Sequence, residues 1–460
     1  MSSLLTRTRR ILGFNQSQDR SSVIKRHISL SLVYKGLNIF TSLALVSVSL
    51  QYLGVELYGV WSTLISLLAW SKLFDVGIGN GLRNKLTEAL AQDNQELAKS
   101  YVSTAYVSLN ILSFLALLVL GIGGALVNWA ELLNVHTMTP RTLYLTFLIT
   151  LIFTILNFST GLISSVCAAL QQSSLLVLNQ WLSNFFALLL LLSINLLPYK
   201  SIILLAVVYG SALVLPNFLI SFQVFRRHRA LIPSLAAFEK FIVRDILSLG
   251  FKFFIIQIAV LIYSTTDKLV ITHFLGPQYV TEYDLVCRLF VLPGIITGTI
   301  NSSLWSGYTD AYNRGDKEWI KKIISKLVAS IPVYSCLTFF LILVAEPIIY
   351  VWSSQKINVS FLLVVLFSIN AVMSYCISIF NNVLTGIEKI NLATFIAIIG
   401  AIVNLFLSIT LARFLGLSGV VIGTIVASIA PIIFFPMQVF YWIYMDSSNQ
   451  RNRLISIILS

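Results

Sequence analysis

"FDVGIGNGLRNKLTEALAQDN" (residues 74–94) decides how this chain is to be read. Gly77, Gly79 and Gly81 fall within five residues, with an acid before them and Arg83 and Lys85 after, as in a phosphate-binding turn. Such a turn needs a short strand ahead of the glycines and a helix packed on a parallel sheet behind them. Here roughly 20 mostly apolar residues come first, the length of one membrane span, interrupted only by Lys72 and Asp75. The residues after the glycines continue in helical register. The glycines therefore mark where a membrane helix leaves the bilayer and turns into a surface helix. Small residues at such a place also let helices approach closely.

The rest of the chain agrees. Hydrophobic residues make up 57% and charged residues 11% of 460 positions, and the mean hydropathy is +0.88. A soluble domain of that composition would lack the polar surface to face water. The fold class is all-α polytopic membrane protein. Spans centre near Ser42, Ser66, Ser113, Phe153, Leu188, Leu213, Leu261, Pro293, Phe339, Val372, Leu405 and Pro431, about twelve in all. The apolar runs are continuous rather than alternating, which excludes a transmembrane barrel.

Lys and Arg in short loops set the orientation. The leader (1–27) is basic and lacks the apolar core of a secretory signal. Also basic are the turn after the second span, the loop at 226–246, the loop at 308–322 and the tail (446–460), whereas alternate loops hold few cations. Both termini and the middle loop are thus expected in the cytoplasm. The net charge of +13 is largely this topology signal, with attraction to anionic lipid as a secondary effect. Nucleic acid is not an expected partner.

At an offset of 222 residues, Leu53 and Gly54 pair with Leu275 and Gly276, and Ala89, Glu96 and Lys99 pair with Ala311, Glu318 and Lys321. With about six spans in each half, both halves enter from the same side. This is a parallel repeat, a familiar transporter plan. The expected division is an N-lobe at 28–225, a linker at 226–246 and a C-lobe at 247–445.

No P-loop pattern occurs, and the four His residues show no metal spacing. The four Cys residues fall inside spans without a C-x-x-C motif and read as small buried apolar residues. The segment from Asp75 to Lys85 with its following short acidic helix, together with "DKLVITHFLGPQYVTEYDLVCRLF" (267–290), resembles the signatures of bacterial O-antigen and polysaccharide flippases. That family belongs to the multidrug/oligosaccharidyl-lipid/polysaccharide exporter superfamily. The resemblance implies a cargo of oligosaccharide on undecaprenyl pyrophosphate, moved from the cytoplasmic to the periplasmic leaflet of the inner membrane. It implies no enzymatic step and no cofactor. Implied partners are the lipid-linked glycan, membrane lipids, a polysaccharide polymerase and a chain-length regulator.

Sugar and pyrophosphate cannot cross hydrocarbon unaided, because unsolvated charge there costs many kcal/mol. A cavity must supply water and cations. Cations at mid-helix cost about 2.5–3.5 kcal/mol on insertion scales and are functional candidates by default. The candidates are Lys35, Lys72 and Lys252 toward the inner side, and Lys268 and Arg288 toward the outer side. Asp75, Asp267 and Asp284 are candidates for ion pairing or for coupling to a proton or sodium gradient. Plainer readings stand beside these. Lys72–Asp75 and Asp284–Arg288 have the spacing of pairs on one helix face, and Lys35 and Lys252 could snorkel to headgroups. Lys268 cannot close on its neighbour Asp267, which points about 100° away. Arg83 and Lys85 would dock the incoming headgroup or simply follow the positive-inside rule.

Pro216, Pro293, Pro332 and Pro431 are expected to kink spans. Two other functions are weighed. A cation-drug exporter of the same superfamily should show embedded acids outnumbering cations, the reverse of what is found. A membrane-embedded glycosyltransferase or polymerase needs an acidic catalytic group in a sizeable loop, and no long loop is present.

Overall fold

The computed structural model describes residues 17–75, 77–135, 137–170, 172–353, 357 and 359–444. The side chains of Lys72 and Lys252, residues 1–16 of the leader and all of the tail lie outside the described residues. Among those described there is no strand. The helices are α1 (Ser17–Leu53), α2 (Val55–Leu68), α3 (Ile78–Ala91), α4 (Gln95–Ala125), the short α5 (Trp129–Leu132), α6 (Pro140–Gly161), the short α7 (Ile163–Ala169) and α8 (Ser173–Ile194). They continue with α9 (Ile202–Arg227), α10 (Lys240–Phe274), α11 (Pro277–Asn313), α12 (Lys317–Ala329), α13 (Ile331–Ser353), α14 (Phe361–Gly386), α15 (Asn391–Ala427) and α16 (Ile429–Val439).

All twelve expected span centres lie within helices. Nine segments among the described residues are long and apolar enough to cross a membrane. One of the nine, Asn391–Ile443, joins α15 and α16, and α15 is itself interrupted at Gly416, where φ is 60° and the backbone is non-helical. The long α10 and α11 carry the embedded charges, and several of their side chains lie outside the described residues.

The opening stretch is no phosphate loop. After α2 the chain tightens into a 3-10 turn, Ala69–Asp75, and Gly77 adopts a left-handed conformation (φ 79°) to start α3. Asp75 Oδ1 accepts from Gly79 N at 3.3 Å, satisfying one of the amides that a helix start leaves unpaired. α3 buries Ile78, Leu82, Leu86 and Ala89 at helical spacing, while Arg83, Asn84, Thr87 and Glu88 are exposed. Gly81 is there for closeness. A Cβ at that position would lie 2.3 Å from the backbone oxygen of Ile246 on α10.

The chain forms two compact units. The first comprises 1–53, 71–127 and 140–254; the second comprises 54–70, 128–139 and 255–460. Neither is continuous in sequence, because α2 and the α5 region group with the second unit. In the first, the core collects Leu82, Val102, Ile163, Leu231 and Ile246. The middle loop is docked rather than free there: Ser103 Oγ and Thr104 Oγ1 of α4 accept from the amides of Ser234 and Glu239 at 3.1 and 3.0 Å. In the second unit a core of Tyr308, Ile320, Val383, Leu384 and Val439 joins α11, α12, α14 and α16.

The repeat is visible in the backbone. Gly54 and Gly276, at the 222-residue offset, both take positive φ (78° and 111°) and precede α2 and α11. Asp93 and Gly315 match them with φ of 54° and 75°. Asn94 and Asp316 then cap α4 and α12 by accepting from Leu97 N and Trp319 N, each at 3.0 Å.

Two proline expectations are corrected. Pro332 and Pro431 sit in the first turns of α13 and α16, where a missing N–H breaks no bond. Pro216 and Pro293 are interior, as are Pro347 and Pro436. Of the cysteines, Cys167 is buried as expected but Cys336 is exposed.

Gly59 on α2 faces the backbone of α11 so closely that an added Cβ would lie 1.7 Å from Pro277 O. Gly59→Ala should therefore destabilise the detergent-solubilised protein by about 1–3 kcal/mol or more through overpacking. Gly36→Ala, with nothing within 4 Å of its added Cβ, should not. Thermal unfolding of the two variants side by side checks this; equal transitions would refute the close approach.

Candidate functional site

The embedded charges of the second unit converge on one carboxylate. Asp284 sits two turns into α11 with a side chain only 3% exposed. Its Oδ1 accepts from Lys268 Nζ of α10 at 2.5 Å. Its Oδ2 accepts from Arg288 Nε, one turn further along α11, at 2.8 Å and from Tyr58 OH of α2 at 2.7 Å. Lys268 Nζ also donates to Ser62 Oγ at 2.9 Å. Tyr58 and Ser62 are one helical turn apart, as are Asp284 and Arg288, so facing rows of α2 and α11 meet the lysine of α10. Lys268, Asp284 and Arg288 taken together are two cations on one carboxylate, a net +1. Arg288, 42% exposed, is the open corner; Lys268 is 17% exposed.

Asp267, the residue before Lys268, belongs to a different network. It is 4% exposed. Tyr283 OH donates to Oδ2 at 2.8 Å, Thr424 Oγ1 to the same oxygen at 3.2 Å and Ser408 Oγ to Oδ1 at 3.4 Å. Asn404 Nδ2 donates to Thr424 Oγ1 at 2.9 Å, and its fully buried Oδ1 has no hydrogen-bond partner among the described residues. The break at Gly416 makes this possible: Asn404 and Ser408 precede it, Thr424 follows it, and Gly423 lets the two limbs close on each other, its added Cβ lying 3.0 Å from Ser408 N. Ion pairing is one of the two roles expected of Asp267. Among the described residues its hydrogen-bond partners are instead neutral hydroxyls. Among the described residues, Asp267 is thus a carboxylate met by three hydroxyls and not by an internal ion pair.

The other described candidates belong to the first unit. Lys35, half-buried on α1 in the first unit, lies between Tyr34, which stacks on Trp181 at 6.0 Å, and Asn38, which accepts from Asn184 Nδ2 at 2.8 Å. Asp75 caps α3 as described. Lys85 pairs with Glu88 at 2.9 Å on an exposed helix face, and that hydrogen bond raises its pKa. Arg83 is exposed. The side chains of Lys72 and Lys252 lie outside the described residues. Sequence reading missed Tyr58, Ser62, Tyr283, Asn404, Ser408 and Thr424, whose only signal was a polar group in an apolar run.

With this geometry in view, comparison with known proteins is decisive. Residues 24–305, more than half of the chain, match the family model described as "Polysaccharide biosynthesis protein". The chain belongs to that family. It is 27% identical over 411 residues to the Salmonella typhimurium strain LT2 protein named "Putative O-antigen transporter", covering 87% of this chain and 92% of that one. Its fold matches an inward-facing multidrug resistance MATE family transporter of the MOP superfamily, with TM-score 0.77 at 14% identity over 91% of this chain and 99% of that one. It also matches a MOP superfamily transporter from Pyrococcus furiosus, whose structure is titled for the reverse polarity of its binding pocket (TM-score 0.60, 14% identity, 90% of this chain and 93% of that one). The protein is a multi-pass membrane protein with the fold of these transporters.

The cluster predicts an order of destabilisation. Asp284→Asn leaves two cations together without their shared anion and should cost about 3–5 kcal/mol, as for a broken buried ion pair. Lys268→Met should cost less, and Arg288→Gln, at the exposed corner, least. Unfolding temperatures in one detergent would establish the ranking; a harmless Asp284→Asn would count against the bridging carboxylate.

Proposed function

We propose that the protein is a flippase for undecaprenyl-pyrophosphate-linked oligosaccharide, an O-antigen or related polysaccharide unit. It moves this cargo from the cytoplasmic to the periplasmic leaflet of the bacterial inner membrane, with both termini in the cytoplasm, by exposing its site alternately to the two sides. One observation carries the reading: a cationic cluster, Lys268–Asp284–Arg288, kept at depth in a transporter of a polysaccharide family. A net positive group inside a membrane protein is costly, and its natural counterpart is an anionic head such as pyrophosphate. The Salmonella relative's name points the same way. Arg288 suits this contact, because a guanidinium's planar fork matches phosphate oxygens. The polyprenyl tail stays in lipid throughout.

Asp267 is the coupling residue in this scheme. Its hydroxyl cage and the buried Asn404 Oδ1 offer neutral oxygens on which a proton or sodium ion can be taken up and released, whereas Asp284 is engaged by two cations. Lys35 and the surface pair Arg83 and Lys85 serve first capture on the cytoplasmic side.

Two measurements test these assignments. Lys268→Ala and Arg288→Ala should each lower surface polysaccharide at least tenfold with unchanged protein in the membrane, and Arg288→Lys should retain part of it. Normal polysaccharide in both alanine variants would overturn the cation site. In vesicles, translocation of a labelled lipid-linked glycan should accelerate under an imposed proton or sodium gradient, and Asp267→Asn should abolish the acceleration. Equal flux with either gradient or none would remove coupling from the proposal while leaving the cargo assignment intact.

A further inference from the structure

The second unit also contains a large groove outside the charge networks. Its volume is about 1290 Å³, and it runs between α12, α14, α15 and α16, lined by Val328, Phe380, Phe395, Ile399 and Phe434. Pockets for ordinary small molecules are roughly 300–1,000 Å³, so this one has room for more than a single slim chain. Its polarity changes along its length. On α15 the wall runs from Asn391 to Ile399, about 12 Å at a helical rise of about 1.5 Å per residue, and is apolar beyond its first residue. At the near end stand Lys389, whose Nζ lies 4.5 Å over the Trp442 ring, and Tyr441. Trp and Tyr beside Lys mark the headgroup level of a membrane.

The charge at that end is mostly positive. α12 brings Ile324 and Val328 to the groove and carries Lys321, Lys322 and Lys326 in the same two turns. Against these stand Glu388, which is exposed, and Glu318, which is already bonded to Lys321 at 2.7 Å. Gln438 Nε2 donates to Lys389 O at 2.8 Å, fixing the turn that presents the lysine. The groove thus has the profile of an amphiphile: cationic at the interface, aromatic and aliphatic along the depth of a leaflet. Basic pockets between membrane helices on the cytoplasmic side select anionic lipid headgroups.

We propose that this groove is a binding site for an anionic phospholipid, with its acyl chains between α15 and α16 and its phosphodiester against Lys389. The inference rests on the chain being a membrane protein and is independent of its cargo.

The full chain in detergent, titrated with phosphatidylglycerol or phosphatidylcholine and followed by native mass spectrometry, tests it. Phosphatidylglycerol should be retained at least tenfold better, Lys389→Gln should erase the preference, and Ala430→Trp, which fills the groove, should weaken both lipids. A photo-reactive residue in place of Phe395 should cross-link to a phospholipid acyl chain in membranes. Equal retention of the two lipids by the wild-type chain, or an unchanged preference in Lys389→Gln, would overturn the site. So would a Phe395 cross-link to residues 445–460 of the same chain, to a polyprenyl phosphate or to another protein. If Lys389→Gln lowers the unfolding temperature, the wild-type lipid comparison and the cross-link decide the matter without it.

Discussion

The second unit depends on the compensation of one buried carboxylate. Asp284 cannot stay ionised in an apolar surrounding unless its charge is met, and it is met by Lys268, Arg288 and the Tyr58 hydroxyl from three helices. The same bonds hold Lys268 and Arg288 where neither could remain alone. Gly59 and Gly276 serve this meeting from the backbone side: the first lets α2 touch the start of α11, and the second turns the chain so that α11 begins there.

The two acids of α10 and α11 are about equally buried and have opposite chemistry. Asp284 is surrounded by cations and is structural in the sense that changing its charge would undo the cluster. Asp267 is surrounded by hydroxyls, and its partners tolerate either protonation state because each hydroxyl can donate or accept. In the proposed scheme this difference, rather than depth or burial, separates a charge that positions cargo contacts from one that can change during a transport cycle. Within that scheme it weighs against the drug-exporter reading, since in the second unit the more exposed cluster is cationic and the acid beside it is enclosed.

Composition and charge pattern were enough to predict an all-helical, two-lobed membrane protein, and the glycine-rich turn after α2 was legible because Gly77, Gly79 and Gly81 stand beside a long apolar run. The repeat was legible too, since Gly54 and Gly276 need positive φ and few other residues accept it. Spacing along one helix predicted the Asp284–Arg288 pair. It could not predict that Lys268 would join it, because that bond crosses between helices and depends on packing. Tyr58, Ser408 and Thr424 were unreadable for a related reason: a hydroxyl in a span bonds its own backbone at little cost, so its presence does not announce a second partner. Ser408 and Thr424 reach Asp267 only because Gly416 breaks α15, a break that the continuous apolar run conceals.

Asp267 and Lys268 are consecutive, and successive residues on a helix point about 100° apart. One turn of α10 thus sends a carboxylate into a hydroxyl cage shared by α11 and α15 and an ammonium into the cluster of α11. In the proposed cycle, an anionic head that draws Lys268 or Arg288 away from Asp284 also shifts the turn that holds Asp267 against Ser408 and Thr424. Uptake of a cation at Asp267 pulls on the same turn from the other side. Linkage of this kind needs no long pathway through the protein. Two ligands bias one short element, and the reciprocity of binding free energies makes each felt at the other's site.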